Sequence, residues 1–305
     1  MRVVFAGTPE AAVPTLNALA TSRHEVVGVI TRPDAQVGRG RHLHPSPVAA
    51  RAAELGLPVA KSRSARDPQL AQWLRDLDPD IVVVVAYGAL LPDDLLAIPA
   101  HGFVNVHFSV LPARRGAAPV QRALMEGDPS TGVTVFRIVS ELDAGPVYHS
   151  VESEIGPDET AGNLLERLSS LGARELIDTL DAVDAGQQPE PQPAEGVSWA
   201  PKVTVADARI DWRWPASRIV NVVRGANPSP GAWTTFQGAR FKVLRATPVD
   251  VPGLAPGDLL AGKRDLVVGT GSEALRLDDV QAFGKKAMSG GDWARGVDVS
   301  GASFA

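Results

Sequence analysis

The sequence contains no cysteine, and this absence excludes several classes of protein at once. Without a thiol there is no cysteine nucleophile, no Cys-ligated zinc or iron–sulfur site and no disulfide, so a reducing cytoplasm is the expected compartment. Long apolar runs are also missing. The longest, Ile81–Leu91, has 11 residues, whereas a helix that spans a bilayer needs roughly 20. Val3–Ala6 is too short for the apolar part of a signal peptide, so we expect a protein that is not exported.

Two common nucleotide-binding motifs are absent as well. The first predicted strand is followed by Gly7-Thr8-Pro9-Glu10, which is neither a dinucleotide-binding GxGxxG nor a P-loop. The stretch Gly38-Arg39-Gly40-Arg41 lies within the long segment Arg32–Ser46 rather than directly before a helix. We interpret that segment as a basic, mobile loop. No metal site is expected, because His42-x-His44 has too few ligand partners.

Length and charge indicate two modules. A chain of 305 residues favours two domains over one. Residues 1–206 carry 17 basic and 25 acidic side chains, and residues 207–305 carry 13 and 10, so the net charge changes from −8 to +3. A basic C-terminal module is typical of a protein that faces a polyanion such as RNA, although solvated surface charge explains the same numbers.

The first 150 residues alternate β-branched runs with helix-like stretches, which predicts a doubly wound, Rossmann-like α/β domain. The predicted strands are Arg2–Ala6, Glu25–Thr31, Ile81–Ala86, Phe103–His107 and Thr131–Val139. The predicted helices are Pro9–Ala20, Pro47–Leu55, Asp67–Leu74 and Ala117–Gly127, with Thr8 as the N-cap of the first. Because Ile81–Ala86 is apolar throughout, we expect it inside a sheet that is covered on both faces.

The pattern changes in the second half of the chain. From Asp158 to Ala185 apolar residues recur at a spacing near 3.6, which predicts one long amphipathic helix. Gly186–Gly196 contains prolines at 189, 191 and 193 and is typical of an interdomain linker. Short strands separated by Gly and Pro then predict a small, OB-like β-barrel. We therefore expect an α/β domain over residues 1–185, a linker over 186–206 and a barrel domain over 207–305.

Polar groups concentrate at the end of the predicted strand Phe103–His107, where open α/β sheets bind their ligands. Alternation places Asn105 and His107 on the same side of this strand, about 7 Å apart along the backbone. An amide in a central strand needs a partner such as a ligand oxygen. A single histidine at a strand end, such as His107, more often has a structural role than a catalytic one. Asp143 follows the next strand, and it either reaches His107 and fixes its tautomer or caps its own turn.

No nucleophile is obvious in the sequence, since nothing marks Ser109 as a hydroxyl paired with a general base, as in a catalytic triad. An Asn, a His and an Asp without a nucleophile suit direct transfer between two bound substrates.

Several separated motifs make the chain resemble the 10-formyltetrahydrofolate-dependent formyltransferases, and most closely the members that act on initiator tRNA. The matching stretches are Phe5–Pro9, Val84–Gly88, Asn105–Pro112, Arg115–Gln121, Leu142–Pro146, Arg209–Trp212, Arg224–Pro228 and Gly284–Ser289. The resemblance therefore runs almost end to end. The departures from the family pattern are local, at Phe108, Val110, Arg114 and His42.

This resemblance implies transfer of a formyl group from 10-formyltetrahydrofolate to the α-amino group of methionine esterified to initiator tRNA, in translation initiation and without a metal. Asn105 and His107 would stabilise the tetrahedral oxyanion, and Asp143 would orient His107 and help to pass on the amine proton. The expected folate contacts are Ser109, Val110, Leu111, Pro112, Tyr87 and Gly88. The expected tRNA contacts are Arg39, Arg41 and the barrel domain, and the protein is expected to be a monomer.

Three alternatives stay open at this point. A formyltransferase for a small-molecule amine, or a hydrolase of the same folate donor, would share Asn105, His107 and Asp143. A glycinamide ribonucleotide enzyme should end near the linker, whereas this chain continues through residues 207–305. A non-catalytic RNA-binding protein is the alternative from another class, and the concentration of polar groups at one strand end speaks against it.

Overall fold

The computed structural model describes residues 1–37 and 42–305, which form two compact units. The N-terminal unit comprises Met1–Gly116, Thr131–Ser153 and Leu165–Trp199, and the C-terminal unit comprises Ala117–Ser130, Glu154–Leu164 and Ala200–Ala305. Neither unit is continuous in sequence, so the two units do not coincide with the predicted domains. The predicted boundaries at residues 185 and 206 concern the division of functions and stay a prediction. No helix within the described ranges is long and apolar enough to cross a bilayer.

A seven-stranded mixed sheet forms the centre of the N-terminal unit. Its part of the chain contains β1 (Arg2–Gly7), β2 (Glu25–Thr31), β3 (Ala35–Val37), β4 (His42–His44), β5 (Val59–Lys61), β6 (Ile81–Val85), β7 (Phe103–His107), β8 (Ser130–Arg137) and β9 (Val147–Glu154). The strand order in the sheet is β5-β2-β1-β6-β7-β8-β9. The first five of these strands run parallel to one another, and β8 is antiparallel to β7. The predicted doubly wound class is therefore confirmed.

The central strand β6 is buried at all five positions, as its continuous apolar sequence predicts. From β1 the chain builds outward to β2 and β5, and then returns to place β6 on the other side of β1. This reversal creates the crevice where ligands of doubly wound sheets bind. Thr8 follows β1 and donates its hydroxyl hydrogen to the carbonyl of Tyr87, which follows β6 (3.1 Å).

The predicted N-cap role of Thr8 is wrong, because its hydroxyl is used between these two strand ends. The helix begins with a 3₁₀ turn over Glu10–Ala12 that has no side-chain cap. The helices are α1 (Val13–Ala20), α2 (Pro47–Glu54), α3 (Pro68–Leu77), α4 (Asp93–Leu96), α5 (Pro119–Glu126), α6 (Ala161–Asp184), α7 (Ala216–Gly225) and α8 (Gly290–Arg295). Ser46 and Asp67 cap α2 and α3 in the expected way, each accepting a backbone N–H of the first turn.

Helix α6 packs closely on the strand that carries the polar residues. A Cβ atom added to Gly172 of α6 would lie 2.7 Å from Cγ1 of Val106 in β7 and 3.2 Å from Cγ1 of Val133 in β8. Only a residue without a side chain permits this approach, which holds the middle of β7 against the helix. The long predicted helix therefore has a direct part in positioning Asn105 and His107.

In the C-terminal unit an antiparallel sheet curls around an aromatic core. Its strands are β10 (Trp233–Phe236), β11 (Ala239–Val249), β12 (Leu259–Ala261), β13 (Leu266–Val268), β14 (Ala274–Ala282) and β15 (Met288–Ser289), in the order β10-β11-β14-β13-β12 with β15 beside β14. Residues 302–305 bridge the two edges: Thr235 of β10 exchanges backbone hydrogen bonds with Ala305, and Leu259 of β12 donates to the carbonyl of Ala302. Trp212, Phe236, Phe241, Trp293 and Phe304 fill the interior, with ring centroids 4.6 to 6.4 Å apart.

The first part of the stretch predicted as a linker belongs to the N-terminal unit and is hydrogen bonded to it. We call residues 187–199 the strap. Glu190 and Val147 exchange two backbone hydrogen bonds (2.7 and 2.8 Å), and Arg115 donates its backbone N–H to the carbonyl of Ser198 (2.9 Å). A proline-rich stretch with the composition of a linker can thus still be held in place by backbone hydrogen bonds.

Candidate active site

His107, the last residue of β7, is buried, with 6% of its side chain exposed. Its ring meets Phe136 edge to face, with centroids 6.3 Å apart. Asn105, two residues earlier in the strand, is only partly buried. Among residues 1–37 and 42–305, no side chain or backbone group is hydrogen bonded to the Asn105 amide. The strand end thus presents one enclosed imidazole and one amide free to bind a ligand.

A backbone carbonyl fixes the tautomer of His107. Nε2 of His107 lies 3.0 Å from the carbonyl oxygen of Arg114. Because a carbonyl only accepts hydrogen bonds, Nε2 carries the proton and Nδ1 keeps its lone pair in the neutral ring. Burial holds the pKa of His107 below its ordinary value, and the Asp143 carboxylate and the Arg114 carbonyl oppose this effect only in part. The resting imidazole is therefore a neutral base.

Asp143 lies beside the imidazole without a direct hydrogen bond to it. Its Oδ2 accepts the backbone N–H of Gly116 at 2.8 Å and lies 3.9 Å from Nδ1 of His107, which is too far for a hydrogen bond. The carbonyl of Arg114, and not Asp143, therefore sets the tautomer in this structure. At 3.9 Å the carboxylate still favours an added proton on Nδ1 through its charge.

The loop between β7 and α5 is held by hydrogen bonds of its own. Ser109 donates its hydroxyl hydrogen to the carbonyl of Ala113 (2.7 Å), which cannot serve as the general base that a serine nucleophile needs. Thr134 of β8 donates to the carbonyl of Ser109 (2.7 Å) and accepts the backbone N–H of Leu111 (3.1 Å). Of the four expected folate contacts in this loop, Ser109 and Leu111 are buried, whereas Val110 and Pro112 are partly exposed.

The turn after β6 exposes its backbone and buries its aromatic ring. Ala86 and Gly88 have positive φ angles of 49° and 82° and lie at the surface. Tyr87 between them is 2% exposed and packs in the hydrophobic core of the N-terminal unit. Burial raises the pKa of its hydroxyl, which has no hydrogen-bond partner among the described residues. The expected contribution of Tyr87 to a ligand site is thereby limited to the backbone of the turn.

One residue that contacts two loops of the candidate site was not found from the sequence, because it lies in the presumed linker. Gln192 of the strap donates from Nε2 to the carbonyls of Asp143 and Gly145, both at 2.8 Å. Its Oε1 accepts from Nε and Nη2 of Arg115 (3.2 and 2.7 Å). No periodicity in the sequence marks this glutamine, since it lies between two prolines and far along the chain from the residues that it contacts.

The two predicted tRNA-binding arginines, Arg39 and Arg41, lie outside the described residues. The strands on either side of them, β3 and β4, pair antiparallel to each other, so part of the segment expected to be a mobile loop has regular structure. Within the described part of the chain, no three His, Asp or Glu side chains are grouped in a way that could hold a metal ion. A surface cavity of about 370 Å³ is lined by Arg115, Glu141, Pro146, Gln192 and neighbouring residues.

Comparison with known proteins assigns both halves of the chain. The family described as formyl transferase matches residues 1–180, and the family described as formyl transferase, C-terminal domain, matches residues 202–298. The methionyl-tRNA formyltransferase of Nocardioides sp. is 56% identical over 301 residues, which cover 97% of this chain and 95% of the relative. That of Streptomyces coelicolor is 56% identical over 303 residues, which cover 98% of each chain.

Among solved structures, the N-formyltransferase of Helicobacter canadensis in complex with folinic acid and dTDP-3-aminofucose is similar to this chain with a TM-score of 0.71. The match covers 93% of this chain and 100% of the other at 15% identity. At that identity the likeness supports the fold alone.

Proposed function

The chain belongs to the formyl transferase family, and we propose that it transfers a formyl group from 10-formyltetrahydrofolate to the α-amino group of methionine esterified to initiator tRNA, as a step of translation initiation. The observation that carries this proposal is the identity of 56%, over nearly the whole length of both chains, to relatives named methionyl-tRNA formyltransferase. A free amide and a neutral imidazole at the carboxyl end of β7 supply the chemistry that such a transfer needs.

The folate donor is the co-substrate, and its binding is assigned to the loop 109–112 and the turn 87–88. Support comes from their place at the carboxyl ends of β7 and β6 beside the sheet reversal. In the loop, Val110 and Pro112 offer partly exposed apolar surface, and in the turn Gly88 offers exposed backbone. No metal takes part in the proposed reaction.

The reaction joins two bound substrates directly. The methionyl nitrogen attacks the formyl carbon, and the carbonyl electron pair moves to oxygen. Asn105 donates a hydrogen bond to that oxyanion. Nδ1 of His107 takes the proton released by the amine, and the charge of Asp143, 3.9 Å away, stabilises the resulting imidazolium. The protonated Nδ1 is then a second donor toward the oxyanion. When the bond from carbon to N10 of the folate breaks, His107 returns the proton to N10, leaving formyl-methionyl-tRNA and tetrahydrofolate.

The RNA is assigned to the OB-like barrel of residues 207–305 and to the segment that contains Arg39 and Arg41. The net charge of +3 in residues 207–305 supports this, because phosphate contacts dominate nucleic-acid affinity. Trp233 stacks with the guanidinium of Arg240 at 4.3 Å, a pairing able to receive a base or a sugar-phosphate edge. We propose that the catalytic part is residues 1–185, joined by residues 186–206, and that the enzyme acts as a monomer in the cytoplasm, where initiator tRNA is charged.

The acceptor can be identified by presenting several amines to the full-length protein with the same folate donor. Formyl transfer to initiator methionyl-tRNA, with little transfer to glycinamide ribonucleotide or an amino sugar, is expected. Release of formate without an acceptor would instead indicate a hydrolase. Folate-independent binding of tRNA without any product would favour the non-catalytic alternative.

A further inference from the structure

We propose that Gln192, in the strap, is a positioning residue that holds the backbone of Asp143 for catalysis. This inference rests on the proposed function, because it assigns Gln192 to the role that Asp143 has there. Its direct basis is the set of hydrogen bonds that join one side chain of the presumed linker to two loops of the site.

The orientation of the Gln192 amide is determined by its partners. The guanidinium of Arg115 only donates, and it faces Oε1 through Nε and Nη2 (3.2 and 2.7 Å). The carbonyls of Asp143 and Gly145 only accept, and both face Nε2 at 2.8 Å. A rotated amide would turn its oxygen toward two carbonyl oxygens. Gln192 therefore has one stable orientation, and it joins the arginine of one loop to the backbone of the other.

Asp143 needs such support because its backbone is unusual. Its φ angle is 50°, in the left-handed region, which is less favourable for any residue with a side chain although aspartate tolerates it better than most. The next glycine, Gly145, lies so close to the carbonyl of Arg137 that a Cβ atom would overlap with it. The carboxylate of Asp143 also accepts from Gly116 and stands 3.9 Å from His107. A small displacement of this turn would change the distance from the carboxylate to the imidazole.

The strap stays in place by other contacts when Gln192 is changed. Glu190 pairs with Val147 through two backbone hydrogen bonds, and Ser198 accepts the backbone N–H of Arg115. The hydroxyl of Ser198 also accepts the backbone N–H of Arg114 at 2.9 Å. A substitution at Gln192 thus removes the link to the Asp143 turn and leaves the path of the backbone supported on both sides.

Two substitutions in the full-length protein test the proposal. Gln192→Glu keeps the acceptor for Arg115 and loses both donors, and Gln192→Met keeps the approximate shape and loses both functions. We expect kcat to fall by about 10- to 100-fold in each variant, because misplacement of a catalytic group by about 1 Å has effects of that size. The KM values for both substrates should change by less than about twofold, since Gln192 binds neither of them. Gln188→Met is the matched control, because Gln188 is an exposed strap residue whose amide donates to the carbonyl of Gly186. The kcat of this variant should be unchanged.

Hydrogen exchange gives a second readout that does not depend on activity. The N–H of Gly116 donates to Oδ2 of Asp143, so its exchange should be faster in both Gln192 variants and unchanged in Gln188→Met. Unchanged kcat and unchanged Gly116 exchange in the Gln192 variants would overturn the proposal. It would also be overturned if the variants had a lower melting temperature but kept the wild-type kcat at temperatures where they are folded. If the wild type itself transfers no formyl group, the proposed function fails. Faster Gly116 exchange in the variants would then still support the positioning of Asp143.

Discussion

At the scale of single residues, the site depends on a histidine that is kept neutral. The carbonyl of Arg114 occupies Nε2 of His107, and burial disfavours a charged ring. Asp143 is close enough to stabilise the imidazolium once a proton arrives, but too far away to hydrogen bond before that. In the proposed mechanism this neutral Nδ1 accepts a proton from the attacking amine, and the same enclosure favours the return of that proton to the leaving nitrogen.

Burial of His107 also predicts how stability depends on pH. In the unfolded chain this imidazole binds a proton below about pH 6.5, whereas the folded protein resists protonation until a lower pH. The unfolded state then binds more protons, so its stability relative to the folded state increases on acidification. Wild-type protein should lose more free energy of unfolding between about pH 7.5 and 5.5 than His107→Gln, which cannot titrate there. Denaturant titrations at the two pH values measure this difference. Equal losses in both proteins would show that His107 is not held neutral.

The arrangement of the polar side chains on β7 was more predictable from the sequence than that of the backbone groups around them. Alternation along one strand is enough to place Asn105 and His107 on the same side. The carbonyl of Arg114 and the N–H of Gly116 were not predictable, because they belong to a loop whose path depends on contacts with Thr134 and the strap. Gln192 could not be found either, since its hydrogen bonds close a span of 49 residues to Asp143 and 77 to Arg115.

At the scale of secondary-structure elements, β8 supports the loop expected to bind folate. The hydroxyl of Thr134 is buried, donates to the carbonyl of Ser109 and accepts the N–H of Leu111. One side chain thus satisfies two backbone groups of the loop that would otherwise be unpaired inside the protein. Strand boundaries and apolar patterning were predictable in this region, because both follow from local sequence. The pairing of β8 with this loop depends on tertiary packing.

Thr134→Val should therefore affect both stability and donor binding. The substitution keeps the shape of the side chain but leaves the Ser109 carbonyl and the Leu111 N–H without their partner. The free energy of unfolding should fall by about 1–3 kcal/mol, and the KM for the folate donor should rise while the KM for tRNA stays the same. Ser150→Ala is a suitable control, because it removes only a contact to the Thr134 hydroxyl at 3.0 Å. An unchanged donor KM in Thr134→Val would separate this loop from folate binding.

At the scale of the whole molecule, charge is distributed unevenly along the chain. Residues 1–206 have a net charge of −8 and residues 207–305 have +3, so attraction for a polyanion should depend on particular basic segments. Truncation is a poor test of this division. A chain ending at residue 185 loses the strap, and one ending at 199 separates α5 from α7, whose Gly225 lies against Met125. Point substitutions in the full chain are more informative.

The segment Gly38-Arg39-Gly40-Arg41 provides such a test, because it adds two positive charges to an otherwise acidic part of the sequence. Arg41→Ala should raise the KM for initiator methionyl-tRNA several-fold and leave the KM for the folate donor unchanged. If Arg41 contacts a phosphate, the slope of log binding constant against log salt concentration should decrease by about one. Arg66→Ala removes an exposed arginine elsewhere in the N-terminal unit and should change neither quantity. An identical salt slope in Arg41→Ala and wild type would remove this segment from the RNA contact.

Formyl transfer at the end of β7 is tested most directly by a single-turnover experiment with ¹³C-formyl donor and initiator methionyl-tRNA, followed by mass spectrometry of the aminoacyl ester. Wild-type protein should place the labelled carbon on the methionine nitrogen, and His107→Ala and Asp143→Ala should each do so about 100- to 1000-fold more slowly when assayed at a temperature at which each variant is fully folded. This loss corresponds to about 2.7–4 kcal/mol of transition-state stabilisation. Labelled methionine formed at the wild-type rate by either variant, or no label on the tRNA with wild-type protein, would contradict the assignment of catalysis to these residues.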